Sequence, residues 1–358
     1  MIWAGTAQAF LFGMASLALA GCSQLHLSQA EDSVIFRTAN YDSYSATNFK
    51  GSAAPAAARL APFALIAEQS EAKEPYVGKG LAPPPKCESA DDGECVDRTP
   101  DLLRARALLG RWRLASVCAG KIGCGVAKPD GGGVDGLGVQ IWLTRGPVCT
   151  EAIIAFRGTQ GFDEGDWRSN FHWFYRLTPV YDQYDEVRDH IKDWVAYVKN
   201  QACYSPGVTQ IATLGHSLGG GLAQMAAYAN GEVQHVYAFD PSPVTGYYSG
   251  GLAARDENVK GLRTERVYEH NEVLAFVRFA QRQVVPLTNC DARIVSTRFK
   301  VLEGGPLTAH SSSSLATGLL RVSRGVAPEP YPLIARPCRK GEPEPDWDKA
   351  LTPAVAGR

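Results

Sequence analysis

The sequence predicts an α/β fold with a mostly parallel central sheet flanked by helices, on three observations. Short apolar runs of strand length alternate with amphipathic stretches of helical spacing, the pattern of βαβ units. A serine flanked by glycines, Gly215-His216-Ser217-Leu218-Gly219, stands between one such run and an Ala-rich helix. Apolar residues make up 45% of the 358 residues, enough for one sizeable core. The formal net charge of −1, with no long run of like charge, argues against nucleic-acid binding, which needs a clustered basic surface. A small, uncharged or lipidic partner fits this composition better.

The elements follow in chain order. Residues 23–55 are polar and Ala/Ser-rich and read as a tether. Residues 56–70 read as a short helix despite Pro62, and Pro83-Pro84-Pro85 then breaks the chain. Thr99-Pro100-Asp101 starts a helix, with a capping hydroxyl and a proline in the first turn. Residues 139–143 and 152–156 read as strands. In 181–200, Tyr184, Val187, Ile191, Trp194, Val195 and Val198 recur at helical spacing. Strand 208–214, helix 222–229, strand 233–239 and a last apolar stretch over 266–273 complete the set. These elements outline one domain over about 99–325. A leader over 1–21 and a tether and N-terminal arm over 22–98 precede it, and a Pro-rich tail over 326–358 follows.

The glycine-flanked serine carries chemistry because of where it stands. In a G-x-S-x-G elbow the serine occupies a strained strand-to-helix turn that projects its hydroxyl, and the glycines allow strand and helix to approach closely. The helix N-terminus points its positive end at the place where negative charge develops. This motif between strand and helix predicts the α/β-hydrolase fold with Ser217 as nucleophile. One oxyanion donor is expected at the N–H of Leu218, directly after the nucleophile. The second is expected from Phe156-Arg157-Gly158-Thr159, which ends a strand about sixty residues earlier. The acid and then the base must follow the serine in this fold. Asp240, Glu269 and Glu272 all follow strands after Ser217. His310, before an apolar helix over 315–320, is the candidate base; His235 lies within a strand run, and His216 is expected to point away from Ser217.

Phe156-Arg157-Gly158-Thr159, Asp166-Trp167 and Gly215 to Gly220, in this order and spacing, resemble the class 3, or fungal-type, lipases across about residues 138–315. The resemblance implies a lipase or carboxylesterase and makes Thr159 the first oxyanion donor. It also implies a lid in the following segment, which holds Trp167, Phe171, Trp173, Phe174 and Tyr175. The family carries its Asp in an Asn-Asp-x-Val type of segment, and Asn271-Glu272-Val273 matches with Glu in place of Asp. Glu272 is therefore the first choice for the acid, with Asp240 and Glu269 as alternatives. The catalytic set expected is Ser217, Glu272 and His310.

The N-terminus carries a second resemblance. An apolar run from Ala9 to Ala20 leads into Leu19-Ala20-Gly21-Cys22, which resembles the lipobox of bacterial lipoproteins. The run is signal-like and short of the roughly 20 residues of a membrane span. The resemblance implies lipidation of Cys22 and a membrane-anchored protein in the cell envelope, although the usual positive charge before the run is missing. Eight cysteines then remain, an even number that suits disulfides in an exported chain. Cys87 with Cys95 and Cys118 with Cys124 can close short loops, Cys149 and Cys203 each precede a predicted parallel strand and share a sheet edge if those strands are neighbours, and Cys290 is left for Cys338. No C-x-x-C pair suggests zinc, and Asp91-Asp92-Gly93-Glu94 lacks calcium-loop spacing, so no metal or cofactor is expected. The rival to a hydrolase is a catalytically silent domain of the same fold that serves as an envelope binding module.

Overall fold

The computed structural model describes residues 33–40, 43–71, 99–119, 123–125, 137–158, 183–247, 249, 251–270, 272–274, 293–302 and 305–328. Its strands are β1 (Ser33–Asn40), β2 (Ser43–Ser52), β3 (Trp112–Ala119), β4 (Gly123–Gly125), β5 (Gly138–Thr144), β6 (Glu151–Phe156), β7 (Gln210–His216), β8 (His235–Phe239), β9 (Arg263–Glu269) and β10 (Arg293–Phe299). They form one sheet in the order β2-β1-β10-β9-β8-β7-β6-β5-β3-β4. The contiguous centre, β10-β9-β8-β7-β6, is parallel throughout. Antiparallel strands flank it on both sides.

Side-chain alternation gives the sheet two covered faces. Along β6, Ile153 and Ala155 face one core, while Ala152, Ile154 and Phe156 face the other. This is the period-2 pattern of a strand buried on both sides. The first face packs against α1 (Ala53–Glu71), α2 (Thr99–Leu109) and α7 (Ser312–Val322). The second packs against α3 (Gln183–Lys199) and α4 (Leu218–Ala229), with α5 (Leu252–Asn258) beside α4. In α3, Val187, Ile191, Trp194, Val195 and Val198 are all buried, as their spacing requires. Trp194 meets Phe156 edge to face at 5.6 Å. A short helix, α6 (Pro306–Ala309), precedes α7. This strand order, with helices on both faces and the glycine-flanked serine after a central strand, is the α/β-hydrolase fold.

The N-terminal part corrects the expectation of a tether. β1 and β2 form an antiparallel pair at the sheet edge, joined through β1 to β10. α1 is a core helix, with Leu60, Leu65 and Ile66 fully buried. Its Phe63 stacks on Tyr237 of β8 at 3.8 Å. Arg59 donates from Nη2 to Glu265 of β9 at 2.7 Å, and Thr297 of β10 donates to the same carboxylate at 2.9 Å. Removing either charge would leave its partner buried alone, at a cost of about 3–5 kcal/mol. The folded unit therefore begins well before residue 99. The apolar content of 33–52 is too low to read as strands from sequence, because an edge hairpin needs no continuous apolar run.

Cys149 and Cys203 form a disulfide with Cα atoms 5.1 Å apart, in the segments that lead into the neighbouring parallel strands β6 and β7. Cys118 and Cys124 are directly opposite one another in the β3–β4 register. Cys22, Cys87, Cys95, Cys290 and Cys338 lie outside the described residues.

Candidate active site

Three chain segments meet beyond the C-terminal ends of the parallel strands. The first is the elbow. β7 ends at His216, and Ser217 turns directly into α4 with φ 55 and ψ −122. Such backbone angles cost an L-residue on the order of 1–3 kcal/mol, so the surroundings must hold them. Two bonds do so: the Ser217 N–H donates to the Phe239 carbonyl at 3.0 Å, and the Ser217 carbonyl accepts from the Ser242 N–H at 2.8 Å. The flanking glycines are required by contact, since a Cβ on Gly219 would overlap the Phe156 carbonyl and one on Gly215 would overlap Gly219.

The second segment carries His310, the expected base. His310 stands between α6 and α7, with Ser311 capping the latter by accepting from the Ser314 N–H. His310 Nε2 lies 3.1 Å from Ser217 Oγ, and its Nδ1 lies 2.8 Å from Glu272 Oε2. A carboxylate accepts only, so Nδ1 carries the proton and Nε2 turns a lone pair to the serine hydroxyl. The third segment carries Glu272, the first choice for the acid. Glu272 is fully buried, and its Oε2 also accepts from the Leu274 N–H at 2.8 Å. The Val273 N–H donates to the Pro306 carbonyl at 3.2 Å, which stitches the acid's turn to the helix leading into His310.

The other two carboxylates accept from backbone N–H groups. Asp240 Oδ1 accepts from the Glu269 N–H at 3.0 Å, and Glu269 Oε1 accepts from the Val301 N–H at 3.0 Å. Burial first, and then the nearby Asp240 charge, push the Glu269 carboxyl up to about 8. His235 is buried against Tyr237, with ring centroids 4.1 Å apart, and burial together with Arg59 and Arg263 pushes it down to about 3. It belongs to the core and stays neutral.

For the oxyanion, Leu218 opens α4, where an N–H has no acceptor within the helix. Thr159 lies outside the described residues, as do Asn271 and the aromatic segment 167–175. Gly158 brings the chain alongside Ser217: a Cβ built on it would lie 3.7 Å from Ser217 Cβ and 2.8 Å from the His216 carbonyl.

Two features were not legible in the sequence. His216, expected to point away from Ser217, has its ring centroid 5.0 Å from that of His310. Its Nδ1 lies 2.8 Å from Glu71 Oε1, at the last residue of α1. Ser312 donates to the other oxygen of Glu71. Burial pushes His216 down, but the Glu71 charge and hydrogen bond outweigh it and hold the imidazole above its ordinary value. Burial pushes Glu71 up, yet His216 and the bond from Ser312 hold it below the usual carboxylate value. No sequence signal connects the polar end of an Ala-rich helix to an elbow 145 residues away. His216, Asp240 and His310 each offer an atom within 4.8 Å of the others, a donor set able to take a divalent ion, but both His310 nitrogens already engage Ser217 and Glu272.

Residues 129–240 match the model of a phospholipase-like family described as a Tle-like phospholipase domain. That stretch holds Gly158 and the elbow but neither Glu71, Glu272 nor His310. No curated protein sequence matches the chain. Among solved structures, lipase II from Rhizopus niveus is 13% identical with a TM-score of 0.32, covering 62% of this chain and 74% of its own. A Pyrobaculum calidifontis esterase is 14% identical with a TM-score of 0.32, covering 60% of this chain and 84% of its own. Acetyl xylan esterase 1 from Thermoanaerobacterium sp. JW/SL YS485 is 12% identical with a TM-score of 0.30, covering 53% of this chain and 81% of its own.

Proposed function

We propose that the protein is a serine carboxylic-ester hydrolase, a lipase that acts on phospholipid or acylglycerol esters through a covalent acyl-enzyme. The observation that carries this reading is the continuous line Ser217 Oγ–His310 Nε2 at 3.1 Å and His310 Nδ1–Glu272 Oε2 at 2.8 Å. Three residues far apart in sequence have no structural need to converge in this order on a strained serine, and the arrangement is the one nucleophilic acyl transfer requires.

In the first half-reaction Ser217 Oγ attacks the ester carbonyl while His310 Nε2 takes its proton. Glu272, buried and negative, holds the ring in the right tautomer and stabilises the imidazolium. The developing oxyanion is bound by the N–H groups of Leu218 and Thr159, and each such donor is worth roughly 3–4 kcal/mol in comparable sites. The tetrahedral intermediate collapses, His310 gives its proton to the leaving alcohol, and the acyl group stays on Ser217. Water, deprotonated by His310 Nε2, then attacks the acyl carbon; the second tetrahedral intermediate collapses with cleavage of the bond to Ser217 Oγ, which takes the proton back from His310, and the free acid leaves.

The match of residues 129–240 to a phospholipase-like model favours a phospholipid over a simple ester. The Leu19-Ala20-Gly21-Cys22 sequence adds that Cys22 is lipidated and holds the enzyme in the cell envelope, next to such a substrate. A panel of p-nitrophenyl esters, triglycerides and phosphatidylcholine or phosphatidylethanolamine vesicles, with Ser217→Ala as blank, tests the substrate class. Turnover greatest on vesicles is the expected result. Turnover on none of the panel supports the silent binding module instead. Cys22→Ser should move the protein from the membrane to the soluble fraction, and retention on the membrane would remove the anchor.

A further inference from the structure

We infer that Glu71, at the end of the N-terminal helix, is a positioning residue of the hydrolytic site that holds the nucleophile elbow, the base loop and the oxyanion strand end in register. The inference rests on the reading of Ser217 as nucleophile. Its basis is one carboxylate that touches all three. Glu71 Oε1 accepts from His216 Nδ1 at 2.8 Å, on the residue directly before Ser217. Glu71 Oε2 accepts from the Ser312 hydroxyl, two residues after His310. Oε1 also lies 2.9 Å from where a Gly158 Cβ would stand, one residue before Thr159. Only glycine leaves room for the carboxylate there.

The bond is costly to break because His216 is almost fully buried. Glu71 itself keeps a side-chain exposure of 24%, so its charge is partly screened, and the imidazole is the partner left most exposed to loss. The charges around the pair are mixed: Asp240 and Glu272 also favour the protonated His216, His310 favours the charge on Glu71, and burial with the Glu71 charge pushes the neighbouring Glu68 carboxyl up to about 7. The depressed carboxyl and the raised imidazole both favour the ion-paired form. None of these atoms need touch substrate. Their effect runs through the distance between Ser217 Oγ and His310 Nε2, because the elbow and the base loop sit on opposite ends of the same carboxylate.

This placement predicts a loss in turnover with little change in substrate binding. On the full-length protein, Glu71→Gln keeps the shape but weakens both arms. Its kcat for a p-nitrophenyl ester should fall by about 10²-fold, the scale of a roughly 1 Å misplacement of reacting groups, with KM within about twofold. Ser312→Ala removes one arm and should lower kcat several-fold. The double variant should be no slower than Glu71→Gln alone, because both act through one carboxylate. Proton NMR should show two imidazole N–H resonances downfield of the amides, one lost in Glu71→Gln and the other in Glu272→Gln. A kcat within twofold of wild type in Glu71→Gln, multiplicative losses in the double variant, or a single downfield resonance would each overturn the inference. If Glu71→Gln fails to fold, the Ser312→Ala kcat and the wild-type resonances decide it. Retained activity in Ser217→Ala would instead remove the nucleophile, an outcome visible without any Glu71 variant.

Discussion

Replacing Glu272 by Gln isolates what a buried acid contributes at this site. The carboxylate is fully buried, and one oxygen, Oε2, accepts both from His310 Nδ1 and from the Leu274 N–H, each at 2.8 Å. A Gln keeps the volume but has one acceptor, and its NH₂ can face Nδ1. If it does, Nδ1 must accept, the proton moves to Nε2, and the base has no lone pair for Ser217. If the amide oxygen faces Nδ1 instead, the tautomer survives but the imidazolium loses its counter-charge. The first outcome sets the scale: up to about 10⁴-fold in kcat, which at 1.36 kcal/mol per decade is about 5 kcal/mol of lost transition-state stabilisation. KM should change far less, because Glu272 does not reach substrate. Asp240→Asn and Glu269→Gln should cost much less turnover, since those carboxylates accept from backbone N–H groups. Initial rates on a p-nitrophenyl ester for the three variants, with thermal melts to exclude misfolding, decide the matter. Collapse of turnover in Asp240→Asn alone would refute the reasoning, because it would place the working acid after β8.

Other consequences follow from single contacts. Gly158→Ala puts a methyl 2.8 Å from the His216 carbonyl and 2.9 Å from Glu71 Oε1, so kcat should fall by about 10²-fold; unchanged kinetics would mean that the loop gives way freely. Cys149→Ser opens a disulfide spanning 54 residues of sequence separation, and loop entropy of that length sets the loss near 4 kcal/mol, readable as a lower denaturation midpoint. An unchanged midpoint would mean that the cross-link contributes nothing. Glu269 has a folded value of about 8 against an ordinary 4.5, so its contribution to stability is fully present below about 4.5 and lost as pH rises through about 8. Glu269→Gln removes that titration, and its melting temperature relative to wild type should improve between pH 6 and pH 9. An equal offset at both values would contradict the raised carboxyl.

The parts that the sequence disclosed are those governed by local rules. β5, β6, β7, β8 and α3 follow from apolar runs and 3.6-residue spacing, and each stands within two residues of the expected range at most boundaries. The elbow was legible because a strained serine between strand and helix needs glycines at fixed offsets. What escaped was set by tertiary position. β1, β2 and β10 carry polar and charged residues, Arg37, Lys50, Arg293 and Arg298 among them, because pairing at or near an edge asks little of composition. β10 nevertheless stands among the parallel strands, as the sheet's order places it beside β9. Glu71 belongs to the same class, since its partners lie 145 and 241 residues along the chain and only the packing of α1 against α7 and the sheet brings them together. Glu272 stood among three carboxylates at the ends of β8 and β9, and only the bond to His310 Nδ1 separates it from the others.

The central claim is that Ser217 is an activated nucleophile with His310 as its base. A fluorophosphonate probe tests it most directly, because its covalent capture needs the activated hydroxyl and no assumption about substrate. Wild-type protein should be labelled on a single peptide containing Ser217, Ser217→Ala should show no labelling, and His310→Ala should label slower by several orders of magnitude while melting normally. Absence of label on folded wild-type protein, or label that persists in Ser217→Ala, would contradict the account.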